Sequence, residues 1–141
     1  MKNIIPAMQK YGIKRILAIS AAQVEENPHP KGNFIWNRVL LPLAKLTGLG
    51  KNIFEDMARM EGALKDSDLE WTIIRPGGLF NHPDPTDYEV YDGSPARALT
   101  ARADVAAFIM KELAELQYIR KIAGVATKDV NPGFWTVLRD N

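Results

Sequence analysis

The stretch Leu69-Glu70-Trp71-Thr72-Ile73-Ile74-Arg75-Pro76-Gly77-Gly78 (69–78) decides how this chain folds. Residues 69–76 read as a strand buried on both faces, stopped by Pro76-Gly77-Gly78. Upstream, Lys14-Arg15-Ile16-Leu17-Ala18-Ile19-Ser20 is a second apolar run without alternation, and Ser20-Ala21-Ala22 sits at its C-terminal end. A helix-bearing crossover joins the two runs. They are therefore expected to lie side by side and parallel.

The rest of the chain supplies the helices. Residues 2–11 read as a short helix with Ile4, Ile5 and Met8 on one face and Gly12 as its stop. Residues 23–33 read as a loop. Trp36, Val39, Leu40, Leu43 and Leu46 then repeat at helical spacing, with Pro42 as a break and residues 47–50 as a linker. A further helix is expected from Asn52, capped by it with Glu55 as capping-box partner. Ile53, Met57, Met60 and Leu64 form its apolar face, and residues 65–68 end it. Residues 81–97, rich in proline and acid, read mostly as loop, with Tyr88–Tyr91 as a short strand. Thr100 to about Leu116 reads as a helix with Val105, Phe108, Ile109, Leu113 and Leu116 on one face. Asp104 lies in its first turn, where the helix dipole favours a negative charge. Residues 121–126 form a final strand, and residues 128–141 form a tail without pattern. This alternation defines an α/β protein. In such sheets ligands bind beyond the C-terminal ends of the strands, here at residues 20–22 and 76–80.

Composition narrows the function. The chain has 141 residues, one ordinary domain, with 18 Lys+Arg against 17 Asp+Glu and a net charge of +1. That balance excludes the basic excess of a phosphate-tracking nucleic-acid binder. There is no cysteine, hence no disulfide, thiolate metal site or cysteine nucleophile. His29 and His82 are the only histidines, too few for a multi-histidine metal centre. No apolar run approaches the ~18 residues of a membrane span, and the N-terminus lacks the apolar core of a signal peptide. A cytoplasmic protein is expected.

Three segments carry a resemblance: KRILAISAA (14–22), MEGALKDSDLEWTIIRPGGLFN (60–81) and LTARADVAAFIMKEL (99–113). In this order and spacing, residues 2–127 resemble the C-terminal half of an atypical short-chain dehydrogenase/reductase. The pattern is most like the NmrA-like NAD(P)-binding proteins and the biliverdin-IXβ/flavin reductases. The resemblance implies the C-terminal part of a Rossmann-like, doubly wound parallel sheet with flanking helices over residues 1–127. It also implies NADP(H) or NAD(H) as cofactor and no metal. The family's glycine-rich dinucleotide turn has no counterpart here, since Gly48-Leu49-Gly50 follows a helix and lacks a third glycine. The expectation is a second half without its first, inactive in that form and prone to self-association through an exposed sheet edge.

Carried over residue by residue, the resemblance makes Ser20 the active-site serine, whose hydroxyl can meet a substrate carbonyl beside the nicotinamide. It assigns Ser20, Ala21, Pro76, Gly77, Gly78 and Leu79 to the cofactor, since proline lacks a donor and glycine lets backbone approach a flat ring. Trp36, Phe80 and His82 are the candidates for a planar substrate. His29 is expected to be a solvated loop residue. Arg102 and Asp104 match an Arg-x-Asp-Val-Ala element, explained by helix capping and an internal ion pair. Many members use Tyr-x-x-x-Lys for proton transfer. Counting back from Glu61, those places fall to Ile53 and Met57, which cannot transfer a proton. The biliverdin-reductase histidine near Gly78 is also missing.

Two functions follow. One is an NAD(P)H-dependent reductase of a flavin, tetrapyrrole or quinone type acceptor. The other is an NmrA-like, non-catalytic redox sensor that docks a partner protein.

Overall fold

The computed structural model describes residues 1–24, 49–95, 99–130 and 132. The loop carrying His29, the expected helix carrying Trp36 and the tail beyond residue 132 lie outside the described residues.

Helix α1 spans Ile4–Lys10 and ends at Gly12, whose φ of +69° suits a residue without a side chain. The Ile13 N–H closes back on the Met8 carbonyl at 2.9 Å. Strand β1, Arg15–Ile19, follows. A turn of 3-10 helix at Ala22–Val24 comes next, and then helix α2, Leu49–Lys65. Strand β2, Glu70–Pro76, pairs parallel with β1, with Ile16 opposite Trp71 and Ala18 opposite Ile73. The expected adjacency of the two apolar runs is thus observed. Short β3, Gly78–Phe80, pairs parallel with β5, Leu99–Ala101, in a separate two-stranded sheet. Strand β4 is Tyr88–Asp92, helix α3 is Arg102–Glu115 and strand β6 is Lys121–Thr127. The main sheet runs β1-β2-β6-β4, with β2 and β6 parallel. Strand β4 is antiparallel to β6, so one edge departs from the all-parallel expectation.

The pleat explains the layers. Alternate residues of β2 point to opposite faces. Trp71 and Ile73 join Ala18, Leu64 and Met60 under α2. Ile74 joins Val105, Phe108, Ala123 and Val125 under α3. Ile73 and Ile74 are both fully buried, which is why the run shows no polar alternation. Helices on both faces of a largely parallel sheet are the doubly wound arrangement that the sequence implied.

Four local expectations are corrected. Helix α2 begins at Leu49, one turn before Asn52, so Asn52 is inside the helix and Glu55 is no capping partner. Thr100 and Ala101 belong to strand β5, Leu99–Ala101, rather than to the helix expected from Thr100, because three residues pairing with Gly78–Phe80 leave no periodic trace. Leu113 and Leu116 are each 48% exposed, and the inward position on that last turn belongs to Glu112. Its carboxylate accepts from Arg15 at 2.7 Å and from the Tyr118 and Gln117 N–H groups. Asp104 makes no ion pair among the described residues. It accepts instead from Thr86 N–H at 2.6 Å, from the Thr86 hydroxyl at 2.8 Å and from the Thr127 hydroxyl.

One glycine sets the approach of a loop to the sheet. A Cβ on Gly124 would meet Pro95 N at 2.6 Å, Gly93 O at 2.7 Å and Ser94 C at 2.8 Å. All three are backbone atoms and cannot swing aside. Gly124→Ala is expected to cost about 1–3 kcal/mol, as other overpacked interiors do. Chemical denaturation measures it, and an unchanged midpoint would show that the loop yields freely.

Candidate site at the strand ends

The C-terminal ends of β1 and β2 bring most of the expected residues together. Ser20 directly follows β1, and its N–H donates to the Ile74 carbonyl at 2.8 Å, which extends the parallel register by one residue. Ser20 therefore stands beside Arg75, on the face covered by α2. Pro76 ends β2, and Gly77 N–H donates to the Thr100 hydroxyl at 2.9 Å. That hydroxyl in turn donates to the Val125 carbonyl at 2.6 Å, tying the turn to β6. Gly78 and Leu79 open β3, and Ala21, two residues past β1, is half-buried.

A buried ionic network lies beneath this rim. Glu61 is 2% exposed. Its Oε1 accepts from Arg75 Nε at 2.9 Å and its Oε2 from Arg75 Nη2 at 2.7 Å, a bidentate pair. Lys65 reaches the same carboxylate at 3.3 Å. Arg75 Nη1 donates to Ser94 Oγ at 3.2 Å, and that hydroxyl donates to the Ala22 carbonyl at 3.2 Å. One guanidinium thus links α2, β2, the turn after β4 and the turn after β1. Burial alone raises the Glu61 carboxyl. Hydrogen bonds from Arg75, the nearby Ser20 hydroxyl, the Arg75 charge and Lys65 outweigh it, so the group is held below the ordinary carboxylate range.

Ser20 Oγ is fully shielded from solvent and makes no hydrogen bond of ordinary geometry among the described residues. It is near enough to Glu61 to help hold that carboxyl down without closing a bond. A buried hydroxyl without a partner is uncommon. Its place at the strand ends makes it the strongest single pointer to a ligand.

Other expected residues behave differently. Phe80 is 1% exposed in β3, so it is a core side chain and walls no open pocket. Its strand pairs with β5, with Phe80 opposite Ala101. His82 is half-buried, and its Nδ1 donates to the Asp84 carbonyl at 2.6 Å within its own loop. Arg102 donates to Asn81 Oδ1 at 3.1 Å. Trp36 lies outside the described residues. Glu61, Ser94 and Thr100 were not expected at the site. Glu61 did leave a signal: it falls between Met57 and Leu64 on the apolar stripe of α2, a place where a charge needs a partner.

The fold defines the class: a Rossmann-like α/β sheet with flanking helices. The sequence matches the NAD(P)H-binding family over residues 1–116, and the chain belongs to that family. This bears out the resemblance to atypical short-chain dehydrogenase/reductases. An uncharacterized chloroplastic protein of Arabidopsis thaliana is 31% identical over 118 residues, 78% of this chain and 39% of that protein. A short-chain dehydrogenase/reductase of Veillonella parvula, solved with NADP, superposes with a TM-score of 0.72 at 24% identity, covering 93% of this chain and 60% of the other. An anaerobilin reductase of Escherichia coli O157:H7 gives 0.66 at 21% identity, covering 92% and 58%. The chain thus spans less than two thirds of the length of these relatives. No helix among the described residues is long and apolar enough to cross a membrane. No group of three or more potential metal ligands occurs among them either.

Proposed function

We propose that the ends of β1 and β2 form the nicotinamide end of an NAD(P)H site, and that the whole protein reduces a planar conjugated acceptor of the flavin, tetrapyrrole or quinone type. The observation that carries this reading is the unpartnered, buried Ser20 hydroxyl beside Pro76-Gly77-Gly78. The fit is good for that end of the cofactor: one polar side chain, a donor-free proline and two glycines next to a flat-ring position. When bound, the cofactor supplies a hydride. Ser20 orients the reacting face, and the backbone of Ala21, Pro76, Gly77, Gly78 and Leu79 bounds the ring. The anaerobilin reductase among the structural neighbours supports a tetrapyrrole-like acceptor, and the E. coli enzyme's fold is the one seen here.

A second reading, a redox sensor that binds the cofactor and docks a partner protein without turnover, is favoured by α2. Ile53 is exposed and Met57 half-buried, and neither holds a transferable proton. NADPH oxidation with flavin or quinone acceptors separates the two readings: turnover supports the reductase, binding without turnover the sensor.

The 141 residues contain no glycine-rich turn, and the pyrophosphate and adenosine contacts supply much of a dinucleotide's affinity. Calorimetric titration of these residues with NADPH is expected to show no saturable micromolar binding. A micromolar affinity would mean that the pyrophosphate is held by residues assigned no role here.

Strand β1 is an edge strand among the described residues, and Ile19 on it is 50% exposed. Such an edge favours pairing with a second copy. Sedimentation at rising concentration is expected to show association, and a strictly monomeric species would refute it.

A further inference from the structure

The turn that follows β4 reaches back to the end of β1. Ser94, 3% exposed, accepts a hydrogen bond from Arg75 Nη1 at 3.2 Å and donates one to the Ala22 carbonyl at 3.2 Å, across 72 residues of sequence. The contacts set the direction of that hydroxyl. A guanidinium has only donors, so it takes the Ser94 oxygen and leaves the single proton for Ala22. The turn itself is fixed on β6. Gly93 N–H donates to the Ile122 carbonyl at 3.2 Å, and the backbone of residues 93–95 lies so close to Gly124 that a Cβ there would come within 2.8 Å of three of its atoms. Arg75 is fixed in turn by both oxygens of Glu61. Ser94 is therefore held from two sides, and it holds Ala22.

The two carbonyls that follow Ser20 are thereby engaged. That of Ala21 takes the Val24 N–H at 3.2 Å, and that of Ala22 takes Ser94. A serine hydroxyl otherwise bonds readily to backbone groups a residue or two away. The Ser20 hydroxyl is buried and unpartnered among the described residues, in a segment whose next carbonyls are turned to other donors. We propose that Ser94 is a positioning residue: it holds the Ala22 carbonyl away from Ser20 and so keeps the Ser20 hydroxyl available to a ligand. This rests on the reading of the strand ends as a nicotinamide site. Ser94 acts there through Ala22, without touching the ligand itself.

The test has two arms, each on the full chain with every variant shown folded by its melt. The first needs no ligand. Backbone NMR compares the parent with Ser94→Ala and with Thr86→Ala, a control that loses a hydroxyl bond to Asp104 instead. Ser94→Ala is expected to move the Ala22 carbonyl-carbon resonance and to speed amide exchange at Val24, while the Ser20 N–H, bonded to Ile74, stays protected. Thr86→Ala is expected to leave Ala22 and Val24 unchanged. An unmoved Ala22 resonance in Ser94→Ala overturns the proposal and leaves the nicotinamide site standing. In the second arm, NADPH is titrated at millimolar concentration into the parent, Ser94→Ala, Ser20→Ala and the double variant. Ser94→Ala is expected to weaken binding about three- to tenfold, the value of one hydrogen bond. In the Ser20→Ala background the same change is expected to have no further effect, since no hydroxyl is left to keep free. Unweakened binding in Ser94→Ala, or an equal loss in both backgrounds, overturns the proposal. No binding by the parent overturns the nicotinamide reading itself, and the first arm separates that failure from this one.

Discussion

Glu61→Ala is expected to lower stability by about 3–5 kcal/mol, the cost of taking the bidentate carboxylate away from a buried guanidinium. Arg75 would keep Ser94 and lose both carboxylate bonds, in a place that is 6% exposed. The converse variant, Arg75→Met, strands Glu61 and is expected to cost a similar amount. The pair Glu61→Leu with Arg75→Met removes both charges and is expected to recover most of the loss, since a packed apolar pair often equals a buried salt bridge. Urea denaturation of the four proteins measures this. A double variant no better than either single one would mean that the network, rather than the stranded charge, sets the cost. Acid gives a second readout. The folded carboxyl lies below its ordinary value of 4.5, so folding favours the ionised form. That contribution is complete above the unfolded value and is lost as pH falls through the lowered folded one. The parent should therefore lose stability below about pH 4.5 more steeply than Glu61→Gln.

Asp104→Ala is expected to cost about 2–4 kcal/mol, because it leaves buried donors without an acceptor. Asp104 is fully buried near the start of α3, and it holds the Thr86 N–H, the Thr86 hydroxyl and the Thr127 hydroxyl. Thr127 Oγ1 in turn accepts from Ala101 N–H at 2.8 Å, so the same carboxylate indirectly steadies β5. The variant should show faster amide exchange at Thr86 and Ala101 while β1 and β2 remain protected. Equal loosening throughout the sheet would contradict this local role.

The sheet was readable because its central strands are buried on both faces. Residues 15–19 and 70–76 carry near-continuous apolar runs, and their parallel pairing follows from the helical crossover between them. Strands β3 and β5 were not readable, since three residues each have no period and their pairing depends on a turn held by Thr100. Leu113 and Leu116 misled because the inward position on the last turn of α3 is taken by buried Glu112 instead. Glu112 could fill the inward place only because Arg15 arrives from 97 residues away. The expectation that Ser20 and Pro76-Gly77-Gly78 lie at strand ends came from their positions after apolar runs, and the fold places them there. The partnership of Glu61 with Arg75 was half legible: each charge interrupts an apolar face, but that the two faces meet is a fact of the fold.

The account's central claim is that the nicotinamide end of a dinucleotide meets the C-terminal ends of β1 and β2. Backbone NMR of the chain during a millimolar NADPH titration tests it most directly. The predicted result is a set of shifts confined to Ser20, Ala21, Gly77, Gly78, Leu79 and their immediate neighbours, reduced in Ser20→Ala. Shifts confined to the groove between α1 and α2, lined by Met1, Ile5, Arg59 and Met60, would contradict the claim, as would no shift at all.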